Sequence, residues 1–65
     1  MDNIMIIKEF EYGGYKIEIH EHPIYHDCEF VIKSLDGHEV KCTSTHPYEH
    51  STDAEAAALI IINNL

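Results

Sequence analysis

Six histidines and two cysteines are the residues whose types could do chemistry in this chain. His20, His22 and His26 lie close together, with Glu21, Asp27 and Cys28 among them. On a strand, His20 and His22 would point to the same side, because side chains alternate with period two. A loop could bring His26 or Cys28 round to them. Imidazole, thiolate and carboxylate together would suit zinc or another divalent metal. The spacing, however, follows no paired cysteine or histidine pattern of structural zinc sites. The simpler reading is a solvated strand face running into a loop.

The other candidates assemble less well. His46 and His50 are four apart, but Pro47 between them makes the segment a loop, since the residue before proline avoids helical geometry. A thiolate–imidazole pair would need Cys28 with His26, or Cys42 with His46. Both cysteines fall in phase with apolar core positions, and the surrounding acids would raise a thiol pKa. A disulfide between them is not expected. Gly13-Gly14 precedes no helix, so no phosphate-binding loop is indicated. The sequence therefore points to no catalytic set, no enzyme and no cofactor. A divalent-metal domain using His20, His22, His26 and Cys28 is the alternative.

Charge narrows the partners. Twelve acids face four lysines, without arginine, for a net charge of −8. Such a surface repels phosphate backbones and anionic membranes, and it lacks the usual reader of guanine and phosphate. Nucleic acid and membrane are set aside. Ile4 to Ile7 is too short for a signal-peptide core, and acids precede it. A cytoplasmic protein is the expectation.

The elements follow from periodicity. Residues 1–65 allow one small domain, with Met1 to Asn3 reading as a frayed start. Ile4 to Ile7 reads as the start of a strand or as an apolar arm. Phe10 and Tyr12, then Gly13-Gly14, then Tyr15, Ile17 and Ile19 predict a tight hairpin. His22 to Asp27 breaks the pattern at Pro23. Cys28 to Leu35 resumes as a strand, with Phe30 and Ile32 inward. Asp36-Gly37 predicts a second hairpin, with Val40 and Cys42 inward on the return strand. A helix is predicted over Thr52 to Leu65. Thr52 and Glu55 have capping-box spacing, alanines follow, and Ala54, Ala57, Ala58, Ile61, Ile62 and Leu65 trace one apolar face. The expected fold is α+β: an antiparallel sheet of three to four strands with one C-terminal helix packed on one face.

The glycine-turn hairpin, the Asp36-Gly37 hairpin and the Ser51-Thr52-Asp53-Ala54-Glu55-Ala56-Ala57 helix start resemble small bacterial β-β-β-α domains, among them the HicB-type antitoxin half-domain. The chain departs from that group in lacking a glycine-centred segment before the helix and appended DNA-binding helices. The resemblance implies the fold, and an antitoxin-like partner protein as one reading. It carries over no functional residue.

Leu59 and Ile60 fall on opposite flanks of the helix's apolar face, and Ile4 to Ile7 is not needed by the core pattern. Surplus apolar surface of this kind marks interaction sites. The expectation is a small acidic interaction module, homodimeric or with a protein partner, with Leu59 and Ile60 as the contact residues to watch.

Overall fold

The computed structural model describes residues 4–65. The expected fraying of Met1 to Asn3 lies outside the described residues. Four antiparallel strands run in the order of the sequence: β1 (Met5–Tyr12), β2 (Tyr15–Glu21), β3 (Cys28–Ser34) and β4 (Val40–Thr43). One helix, α1 (Ser51–Asn63), packs on the face made by β2 and β3. This is the expected α+β arrangement, with four strands. Ile4 precedes β1 and Met5 opens it, so the apolar run is strand rather than arm.

The β1–β2 turn is two residues long because Gly13 and Gly14 both take positive φ, +58° and +84°. That geometry matches the right-handed strand twist and is open to glycine without strain. Pairing then places Phe10 beside Ile17, Ile17 beside Ile32, and Ile19 beside Phe30 on one face. These residues, with Cys28, meet Ala54, Ala58 and Ile62 of the helix in the buried core. The alanines let the helix axis come close to the sheet. Phe30 fills the middle, with Tyr48 tilted against it at 6.3 Å between ring centroids. Tyr48 is held there by two backbone hydrogen bonds exchanged with Cys28, each 2.7 Å.

Three expectations need correction. The Thr52–Glu55 capping box does not form. The helix begins one residue earlier, its N-cap is His50 without a side-chain cap bond, and Glu55 instead receives two hydrogen bonds from Lys8, at 2.8 and 3.0 Å. A cation on a neighbouring strand competes better for that carboxylate than an exposed amide does. Val40 is not inward. A register shift between Ile32 and Lys33 sets Val40 opposite Lys33 and leaves it exposed, while Cys42 opposite Ile32 packs against the core. Leu65 lies beyond the end of the helix and is exposed. Its place at the next turn of the apolar face is lost because the helix stops at Asn63, where Asn64 folds its side-chain amide back to the Ile60 carbonyl.

Candidate functional site

The histidine cluster is dispersed by the strand geometry. Cys28 is buried in the helix-side core, whereas His20 lies on the opposite face, so the two cannot meet at one ion. His20 leans along its strand and donates from Nε2 to Glu18 Oε1 at 2.9 Å. His22 accepts at Nδ1 from the Ile24 and Tyr25 amides, at 3.3 and 3.5 Å, and stacks against Tyr25. His26 closes the 22–27 loop with a left-handed φ of 61°, exposed at its tip. Its amide donates to the His22 carbonyl at 2.8 Å, which is why the chain turns there. Among the described residues, no group of three histidines, cysteines or acids is placed to hold a metal.

His46 is tilted over Tyr48 with its Nδ1 donating to the Pro47 carbonyl, and His50 is the helix N-cap, so the two do not converge. Cys28 and Cys42 are both free thiols. Burial pushes the Cys28 thiol pKa up, and the nearby charges of Glu21 and Asp27 add to it. Cys28 is therefore neutral and enclosed. In a timed maleimide reaction at neutral pH, Cys42 is expected to label while Cys28 stays unmodified until denaturant is added. Equal labelling rates in the folded protein would contradict the core placement.

Between the loop and the sheet is a pocket of about 160 Å³ lined by His22, Tyr25, Asp27, Glu29 and Pro47. It is small, and of its lining residues Tyr25, Glu29 and Pro47 are exposed while His22 and Asp27 are half-buried.

The face away from the helix holds a residue that strand alternation hides. Glu18 sits among polar neighbours yet is only 4% exposed. Lys33 of the adjacent strand donates to its Oε2 at 3.0 Å, and His20 to its Oε1. Burial by itself would raise the Glu18 pKa, but the hydrogen bonds and charges of His20 and Lys33 together outweigh it and hold the carboxyl below its usual range. Lys16 pairs with Glu9 at 3.2 Å and Lys41 with Glu39 at 3.1 Å. With Lys8 on Glu55, each lysine of the chain has a carboxylate. At one acid per lysine, eight of the twelve acids are left over, which is the whole net charge.

No protein-family model, curated protein or solved structure matches the chain.

Of the expected contact residues, Leu59 is half-buried on the helix flank shared with Glu55 and Asn63, which bond Lys8 and Tyr12 of β1. Ile60 is 61% exposed on the outer side, where Ala56 is its exposed apolar neighbour. Single exposed apolar residues are ordinary. A longer exposed apolar run lies elsewhere. Ile4, Met5, Ile6 and Ile7 are exposed by 53, 55, 52 and 42%. Ile4 leads into β1 and Met5, Ile6 and Ile7 are its first residues, at the edge of the sheet. The run is visible in the sequence, but its position on an edge depends on strand order.

Proposed function

We propose that the chain is a small acidic protein-binding module that performs no chemistry, and that it works in the cytoplasm, where Cys28 and Cys42 remain thiols. The observation that supports this best is the exposed run Ile4 to Ile7 on the edge strand β1. A domain this small has few apolar residues to spare, so four in a row left outside the core point to a surface that a partner covers. The surplus of eight acids favours a partner of opposite charge.

The test is retention of partners by a tagged chain in an extract of its source. Met5→Thr combined with Ile6→Thr keeps strand propensity while removing apolar contact. Burying half of each side chain contributes roughly 1 kcal/mol apiece, so the double variant is expected to bind about tenfold or more weakly. Ile60→Glu serves as the comparison and is expected to bind as the native chain does. Identical retention by the native chain and the double variant, or no retained protein at all, counts against the proposal. Self-association through the same strip would instead appear as a melting temperature that rises with concentration.

The acid surplus also suits the narrower reading in which the partner is the basic toxin of an antitoxin-like pair. Sequencing the retained protein decides between that and another basic partner.

A further inference from the structure

We infer that β1 accepts an extended segment of another protein as a fifth strand, and that this segment carries apolar residues at one end and lysine or arginine at the other. The inference rests on the protein-binding proposal and adds to it the mode of binding and the chemistry of the partner.

β1 is an open edge of the sheet. β1 pairs with β2 on one side only, and among the described residues no strand pairs with its outer side. Eight residues of strand span about 27 Å, which is long for an unguarded edge. β4, at the other edge, has four residues and a register shift. Natural edges are blunted by proline, by lysine or by bulges. β1 has no proline. Its irregularity lies at Ile7, and the register is continuous from Lys8 to Tyr12. Its lysine, Lys8, does not stand guard, because it turns over the Phe10 ring at 5.2 Å and is bound by Glu55. The edge is thus open in just the way that strand addition requires.

Charge along β1 selects the guest. Along β1, Met5 to Ile7 is apolar, while Glu9 and Glu11 share the face away from the helix, opposite Glu18 and Lys16 of β2. An incoming strand would set its own side chains beside these. Antiparallel pairing, the arrangement throughout this sheet, places cations in the N-terminal half of the guest and apolar residues in its C-terminal half. Among the described residues each lysine already has a carboxylate partner, which offsets the repulsion that it would exert on such a guest.

The same pattern disfavours a second copy as the guest. Two β1 strands related by a two-fold axis would set Glu9 against Glu9 or Glu11, or Lys8 against Lys8, unless the overlap shrank to the few residues around Ile6. Like charges directly opposite destabilise a strand pair, and each copy adds a net charge of −8. On the helix side, the guest would lie along Met5, Phe10 and the half-buried Leu59, which gives that leucine a place in the contact.

The experiment uses the whole chain, labelled for amide NMR, and three synthetic peptides as long as β1. The first has lysines at alternate positions of its N-terminal half and valine and isoleucine in its C-terminal half. The second replaces lysine by glutamate. The third is the lysine peptide with alternate backbone nitrogens methylated. The lysine peptide is expected to shift the amides of Met5 to Tyr12 and to slow their hydrogen exchange. The glutamate and methylated peptides are expected to bind at least about tenfold more weakly, and Glu9→Gln with Glu11→Gln should narrow the difference between the lysine and glutamate peptides. Equal binding of lysine and glutamate peptides, shifts centred on the His22–Pro47 pocket, dimerisation through β1, or no binding of the lysine peptide would each overturn the inference. If a natural partner still depends on Met5 and Ile6 while the lysine peptide fails, strand addition is wrong and the protein-binding proposal stands.

Discussion

Replacing Gly13 by alanine is expected to destabilise the protein by about 2–4 kcal/mol, with Gly14→Ala costing about half as much or less. Both glycines have positive φ, which an L side chain adopts at roughly 1–2 kcal/mol. Their surroundings differ. A methyl group on Gly13 would lie 2.6 Å from Cγ2 of Ile62, whereas one on Gly14 would meet nothing within 4 Å. Ile62 is a buried residue in the last turns of the helix, so it has little room to yield. Overpacking of this kind adds roughly 1–3 kcal/mol to the backbone strain. A domain of this length has a total stability of roughly 3–10 kcal/mol, so Gly13→Ala removes much of it. Urea denaturation of the two variants checks the difference. Equal losses would mean that Ile62 does not press on the turn.

Removing the Glu18 carboxylate is the other large effect. Glu18→Ala is expected to lose about 1–3 kcal/mol at neutral pH, because Lys33 and His20 are left without the acceptor that they share. The acid dependence carries the sign. The carboxyl pKa is lowered in the folded chain, so its contribution is present above the unfolded value near 4.5 and is lost as pH falls through the folded value. Native stability should therefore decline on acidification below about pH 4.5, and Glu18→Gln should flatten that decline. Asp36 has an acid response of the same sign, since bonds from the Ser34 hydroxyl and the His38 amide lower its pKa too. Comparing native and Glu18→Gln chains across pH isolates Glu18. Parallel curves would show that the bridge to Lys33 and His20 has no energetic role.

These two positions also show what the sequence discloses. Gly13-Gly14 is legible as a turn because positive φ is a local demand. That Gly13 also touches Ile62 is not legible, since the contact joins a strand turn to a helix far along the chain. The alternation of Lys16, Glu18 and His20 reads as a wet face; they do lie opposite the core, but Lys16 and His20 are only half-exposed. Glu18 is nonetheless buried, because Lys33 covers it from another strand. The Thr52–Glu55 spacing fits a cap, yet Lys8 takes the carboxylate. Val40 follows the inward phase of Cys42 until a register shift turns it out. The helix, the hairpins and the core residues Ile17, Ile19, Phe30 and Ile32 are local or periodic, and these are the features that the sequence makes plain. For the candidate surface, Ile4 to Ile7 is conspicuous as a run without an assigned role. Its meaning depends on β1 being an edge, which only the strand order discloses.

The helix α1 follows all four strands in sequence, and that order has a consequence for biosynthesis. The helix covers Ile17, Ile19, Phe30 and Ile32, and Tyr12 bonds Asn63 across 51 residues of chain. During translation, the sheet residues therefore emerge long before their cover. The nascent meander has one apolar side open to water, with nothing to shield it until Ser51–Asn63 leaves the ribosome. Folding becomes a single late event, and the interval before it is when the chain is most exposed to aggregation and to chaperones.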